Sequence, residues 1–246
     1  MPADRSELLA MDPSQIVSIL RERMARVEQR IGDACRRAGR PRSDVAVVAV
    51  TKKLPLETTR LLPTLGFLQL GENRPQELWE KAASLPKSVG WHLIGHLQRN
   101  KIERTLPLVQ CIHSVDSVRL LEAIEKEAAK RDRTVDVLLE VNASGEKSKQ
   151  GFAVAEASDL VPLLDRLVHV RVRGLMTMAP FLADPEECRP VFTAVRKLRD
   201  KLRKRLSPGH EFGELSMGMT NDFEVAIEEG ATLVRLGTVY FEGLGA

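Results

Sequence analysis

The sequence predicts an α/β protein, a (β/α)8 barrel of TIM type with an extra N-terminal helix. Three observations predict it. About eight short apolar or β-branched runs recur along the chain, nearly all separated by stretches of helical periodicity. The 246 residues suit one such barrel, which typically takes about 250. The turn after the first run, Thr51-Lys52-Lys53-Leu54-Pro55, holds no glycine, whereas an open doubly wound sheet normally carries a glycine-rich dinucleotide turn there. No low-complexity linker divides the chain, so residues 1–246 are read as one domain.

The elements follow in order. Ile16, Leu20, Met24, Val27, Ile31 and Ala34 are spaced by three and four, which predicts an amphipathic helix over about 13–38. Asp12 and Pro13 supply its N-cap and first-turn proline; Arg36 and Arg37 place cations at its negative end, and Gly39 stops it. Residues 45–51 are a near-continuous run of β-branched residues and alanine, as in a strand covered on both faces, and helical spacing follows from Leu56. Further strands are expected at 67–70, 91–95, 109–113, 135–141, 168–174, 212–216 and 232–236. Between Arg196 and Arg205 stand seven Lys and Arg, interleaved with Val195, Leu198, Leu202 and Leu206 at helical spacing. This reads either as a nucleic-acid patch or as an outer barrel helix with a solvated face, and the second reading is preferred.

Composition narrows the function. Hydrophobic residues at 43% and charged residues at 29% suit a packed core and exclude a mainly disordered chain. A net charge of +3 is too small to draw nucleic acid to the whole molecule, and no nucleic-acid partner is expected. Cys35, Cys111 and Cys188 are scattered and odd in number, as in a protein of the reducing cytoplasm. Residues 1–15 lack the basic flank and apolar block of a secretion signal, and no run reaches membrane-spanning length, so no membrane partner is expected.

A barrel of this type builds its site at the C-terminal ends of its strands. There the sequence places Lys52, Gly71-Glu72-Asn73, Gly95-His96, Ser114-Val115-Asp116, Asn142, Met176, Ser216-Met217-Gly218 and Arg235-Leu236-Gly237-Thr238. Lys52 is delivered by an apolar strand to a dry mouth, where desolvation favours its neutral, nucleophilic form. Either it condenses with an aldehyde or it pairs with Glu72 or Asp116, and strand alternation alone does not say whether Lys52 or Lys53 faces inward. Gly218 and Gly237 let backbone N–H groups approach an anion, Ser216 and Thr238 offer hydroxyls, and Thr220 to Glu224 reads as a helix start. The other reading is that these glycines only make turns. An aldehyde that also carries a phosphate fits both signals, and pyridoxal 5′-phosphate is such a molecule. Arg235 lies on the same side as Gly237. It either meets the pyridine nitrogen, leaving it unprotonated, or pairs with Glu214 or Asp222. His92 and His96 have the i, i+4 spacing of helical zinc sites but lie in a strand pattern, so no metal is expected. Cys35 and Cys111 read as inert core thiols.

These residues fall into blocks that resemble the pyridoxal-phosphate homeostasis proteins, single-domain relatives of the N-terminal barrel of alanine racemase. The blocks are Ala49-Val50-Thr51-Lys52, Gly71-Glu72-Asn73, Trp91 through Lys101, Ser114-Val115-Asp116, Ser148-Lys149-Gln150-Gly151, Gly174-Leu175-Met176, Leu215-Ser216-Met217-Gly218-Met219 and Val234-Arg235-Leu236-Gly237-Thr238. The resemblance implies that Lys52 holds the cofactor covalently as an aldimine. Asn73, Ser216, Met217, Arg235, Gly237 and Thr238 are the other expected cofactor-binding residues. Lys149, on a polar loop with Gly145 and Gly151, reads either as a transfer residue that takes the aldehyde from Lys52 and hands it outward or as a solvated lysine that at most steers the phosphate. The chain departs from the family at Lys53-Leu54, where Thr-Lys is usual, and at Arg74-Pro75, where Tyr-Val is usual. Alanine racemase carries a further β-domain and a second catalytic tyrosine, whereas Tyr240 is the only tyrosine here. The expected function is therefore to carry and buffer the cofactor, as a cytoplasmic monomer that supplies acceptor apoenzymes. The alternative is a weak amino-acid racemase or another pyridoxal-phosphate enzyme.

Overall fold

Asp12 and Pro13 begin helix α1 (Pro13–Arg37) in the computed structural model of the chain, which describes residues 11–146, 150–180, 184–207 and 211–244. The cap is reciprocal: Asp12 accepts from Ser14 N–H at 2.7 Å, and Gln15 accepts from Asp12 N–H at 3.2 Å. The helix buries Leu20, Val27, Ile31, Ala34 and Cys35 and ends with Arg36 and Arg37 in its last turn.

The strands are β1 (Ala46–Val50), β2 (Gln69–Glu72), β3 (Gly90–Leu93), β4 (Val109–Val115), β5 (Val135–Asn142), β6 (Phe152–Ala153), β7 (Val170–Met176), β8 (Glu214–Ser216) and β9 (Leu233–Leu236). They are parallel and run in the order β4-β3-β2-β1-β9-β8-β7-β5, and the pairing of β4 with β5 closes the ring. The result is a closed eight-stranded barrel, with the two-residue β6 added at the end of β5. Around it lie α2 (Leu56–Leu61), α3 (Pro75–Ser84), α4 (Ile102–Thr105), α5 (Val118–Ala129), α6 (Val154–Ser158), α7 (Val161–Leu164), α8 (Arg189–Arg203), α9 (Phe223–Glu228) and α10 (Thr238–Phe241). Among the described residues no helix is long and apolar enough to cross a membrane.

Three strands, β2, β7 and β8, start two residues later than the periodicity suggests, and for the first two the cause is visible. Gly66 takes a left-handed conformation (φ 90°), and Phe67 N–H returns to Leu62 C=O at 3.1 Å. Phe67 thus closes a helix end, and β2 begins at Gln69. Before β7, the N–H groups of Val168 and His169 donate to the Glu125 carboxylate at 3.0–3.2 Å, so they are spent before the ladder starts at Val170. The basic helix α8 buries Phe192, Val195, Leu198 and Leu202. Two of its arginines are tied to acids across the surface: Arg189 to Glu186, Glu228 and Glu229 at 2.6–3.1 Å, and Arg196 to Glu229 at 2.9 Å.

Register shows which side chains share the lumen. Val50 stands beside Gly71, Gly71 beside His92, His92 beside Cys111 and Cys111 beside Asp136. The circuit continues from Glu140 to Met176, Ser216 and Leu233, then from Val48 to Arg235. Cys111, Leu138 and Met176, with Leu233 against them, form an apolar cluster separate from the main core between sheet and helices. Val48, Val50, His92, His113, Glu140, Ser216 and Arg235 are therefore lumenal. Ala49, Leu93 and Leu215 pack outward.

Candidate functional site

Lys52 follows Val48 and Val50 at the same parity, at the C-terminal mouth of the barrel. It is exposed, not enclosed in the dry mouth that its apolar strand predicts. Its two candidate partners are engaged elsewhere. Glu72 takes Lys81 Nζ at 2.6 Å, and Asp116 takes His96 Nδ1 at 3.1 Å. Among the described residues Lys52 has no ion pair, which leaves its amine uncommitted. It lines a cleft of about 570 Å³ with Lys53, Asn73, Arg74, Glu77 and Lys81. Lys53 sits in the left-handed region (φ 67°), so the chain turns sharply just after Lys52.

The remaining expected residues gather on the neighbouring side of the mouth, outside that cleft. Ser216 and Met217 are fully buried, Arg235 is 3% exposed, Gly237 is half-buried and Thr238 is exposed. The two groups meet through the β1–β9 pairing: a Cβ on Gly237 would stand 3.1 Å from Val50 C=O, two residues before Lys52. Met217 packs its side chain into the outer core and spends its N–H on Leu233 C=O at 3.1 Å, so neither is left for an anion, and the free backbone donors begin beyond it in the loop. Gly218 has φ 94°, and a Cβ there would lie 2.7 Å from Ala226 Cβ and 2.9 Å from Phe223 Cα. Packing by itself therefore demands this glycine, in line with the turn reading. Thr220 Oγ1 accepts from Val239 N–H at 3.2 Å and Asp222 accepts from Met219 N–H at 2.6 Å, which pins the loops after β8 and β9 side by side.

Arg235 makes neither of the ion pairs considered for it. Its Nη1 donates to Ser216 C=O at 2.7 Å and to Ser216 Oγ at 2.5 Å, and its Nη2 donates to Thr177 C=O at 2.8 Å. Burial pushes its guanidinium down to about 10, against the opposing pull of Asp222 and Glu140, so it stays cationic at neutral pH. Lys149 lies outside the described residues.

Sequence reasoning missed three features. Lys81, from α3, is buried against Glu72 and donates to Thr51 C=O at 2.8 Å. Glu140 reaches the mouth from β5; burial, then Asp116, raises its carboxyl, with Arg235 and His96 opposing. Period-two counting along the strand could have found it, since Leu138, Glu140 and Asn142 share a face. Third, His92 and His113 face each other at 2.9 Å in the lumen. With Cys111 they bring ligand atoms within 4.8 Å of one another. Each of their ring nitrogens already has a hydrogen-bond partner, and burial raises the Cys111 thiol strongly, so the arrangement suits hydrogen bonding better than a metal.

The family described as alanine racemase, N-terminal domain, matches residues 24–244. A pyridoxal phosphate homeostasis protein of Aquifex aeolicus is 42% identical over 221 residues, 89% of this chain and 96% of its own length. A protein of Bifidobacterium adolescentis described as unknown superposes with TM-score 0.87 at 38% identity, over 94% of this chain and 98% of that one. PipY of Synechococcus elongatus, solved with PLP bound, superposes with TM-score 0.78 at 34% identity, over 90% of this chain and 99% of that one.

Proposed function

The chain belongs to the pyridoxal phosphate homeostasis protein family, whose barrel is the alanine racemase N-terminal domain, and on that premise we propose that it binds pyridoxal 5′-phosphate and carries it in covalent but reversible form. The observation that carries this reading is the uncommitted Lys52 amine at the barrel mouth, joined through β1 and β9 to Gly237 and Arg235. The residues present fit such a group: a primary amine for its aldehyde, a buried cation beneath, and two pinned glycine-bearing loops where an anion can approach backbone. When bound, the cofactor supplies an electrophilic aldehyde carbon. Lys52 Nζ would add to that carbon with loss of water, Arg235 would present a proton donor to the pyridine nitrogen, and Gly237, Thr238 and the glycine loop that Ser216 and Met217 lead into would hold the phosphate. Asn73 borders Lys52 across the cleft and would limit where the amine swings. An arginine facing the ring nitrogen leaves it unprotonated and so supports carbanion chemistry poorly, which favours carriage over turnover. One domain acting alone in the cytoplasm suffices for this task.

The test is an absorbance spectrum of the protein mixed with pyridoxal 5′-phosphate, before and after borohydride, followed by peptide mapping. A pyridoxyl adduct at Lys52, absent in Lys52→Ala, is expected. An adduct on Lys53 or Lys149, with Lys52→Ala still fully yellow, overturns the assignment.

A further inference from the structure

The lumen of a barrel of this type is ordinarily filled by branched apolar side chains. Here a line of polar groups crosses it from mouth to base. Arg235 Nη1 lies 2.5 Å from Ser216 Oγ, Ser216 Oγ 2.8 Å from His113 Nδ1, His113 Nε2 2.9 Å from His92 Nδ1, and His92 Nε2 2.6 Å from Gln69 Oε1. His113 and Ser216 are wholly buried, and His92 and Arg235 nearly so. Burying four polar side chains is costly unless each is satisfied, and here every link is within hydrogen-bond distance.

The chemistry of the groups gives the line a direction. A guanidinium only donates, so Ser216 accepts from Arg235. Burial holds His92 at about 4 and His113 well below its ordinary value, so both are neutral at pH 7, each with one donor and one acceptor nitrogen. Gln69 turns its carbonyl oxygen to His92, so His92 Nε2 carries the proton and Nδ1 accepts. His113 must then donate from Nε2 and accept at Nδ1, and the hydroxyl proton of Ser216 goes to His113.

We propose that Arg235, Ser216, His113, His92 and Gln69 form one directional hydrogen-bonded column in which His113 is a positioning residue: by accepting the hydrogen bond of the Ser216 hydroxyl it turns a serine lone pair toward Arg235 and fixes the guanidinium at the floor of the mouth. The serine hydroxyl therefore donates nothing to a ligand above it, and an anion there must take its donors from backbone N–H groups and the Thr238 hydroxyl. Both ends are capped by groups that do not pass protons on, a guanidinium and an amide, so the column is a brace and not a conduit. The role of Arg235 toward a bound ring rests on the proposed function; the column itself does not.

Nuclear magnetic resonance of the cofactor-free protein with ¹⁵N-labelled histidine tests the column directly. At pH 7 both His92 and His113 are expected as neutral Nε2–H tautomers. An Nδ1–H tautomer or an imidazolium at either position overturns the column whether or not the protein binds pyridoxal 5′-phosphate. The positioning role is read from cofactor titrations followed by absorbance. His113→Phe and Ser216→Ala are each expected to weaken binding about tenfold or more and to shift the absorbance maximum. The double variant should be no weaker than either single one, and His113→Asn, which keeps an acceptor for the serine, should recover most of the loss. Unchanged spectra and affinity in His113→Phe, or losses that multiply in the double variant, overturn the role. Failure of the wild type to take up cofactor, with both tautomers as expected, removes the proposed function and leaves the column standing.

Discussion

Lys81 and Glu72 meet at 2.6 Å with almost no solvent around either, and the second carboxylate oxygen of Glu72 is buried without a partner. Burial raises the Glu72 carboxyl even against the amine and the Thr51 hydroxyl that donate to it. Such a pair gives little net stability, but losing one member is expensive because the other charge stays buried. It persists here where it ties Thr51, next to Lys52, to the end of β2, next to Asn73. Lys81→Met is expected to lower the unfolding free energy by about 3–5 kcal/mol, and adding Glu72→Leu should restore most of it. Urea titrations of the two variants check this, and equal stability of both would refute the account. None of this was legible in the sequence: Glu72 reads there only as a partner for Lys52, and a lysine nine residues downstream meets it only once α3 docks on the sheet. That β1 delivers an amine to the mouth, by contrast, was legible, because an apolar strand running into Lys52 and Lys53 is a local pattern, although alternation alone did not choose between the two.

At the scale of elements, α1 shows how a segment outside the barrel repeat supports the mouth. It packs on α9 and α10, the short helices that follow the loops bearing Gly218 and Gly237. Arg23 donates to the carbonyls of Tyr240 and Glu242 at 2.7 Å, and Arg30 pairs with Glu224 at 2.8 Å. These links are partly exposed and individually weak, so the apolar stripe carries most of the docking. Ile31→Ala is expected to cost about 2–5 kcal/mol by leaving a cavity, with exposed Glu22→Ala as a control within about 0.5 kcal/mol. Chemical denaturation measures both, and a loss no larger for Ile31→Ala than for Glu22→Ala contradicts the docking account. The limits of α1 were readable because cap, periodicity and stop are all local in sequence. The starts of β2 and β7 were not, since one depends on a helix end closing at Phe67 and the other on Glu125 arriving from α5.

For the whole molecule, the polar lumen makes stability depend on acidity in a predictable direction. His92 is held at about 4 by burial, against an ordinary value near 6.5, and His113 lies well below that value. In the unfolded chain both titrate near 6.5, so between about pH 6.5 and 4 the unfolded state binds more protons and stability falls as pH falls. The contribution is full above 6.5 and has drained away by the folded value; for His92 the span corresponds to about 3 kcal/mol. Glu72, Glu140 and Asp222, whose carboxyls burial raises, oppose this trend over part of the same range, so the raw pH profile mixes signs. A difference measurement separates them. His92→Gln removes one titrating imidazole from a site faced by His113, Cys111 and Gln69 and leaves the carboxylates in place. The stability of wild type relative to this variant is expected to shrink steadily from pH 7 to pH 4 and to level off below. A difference that stays flat through that window would mean that His92 is not held neutral in the lumen.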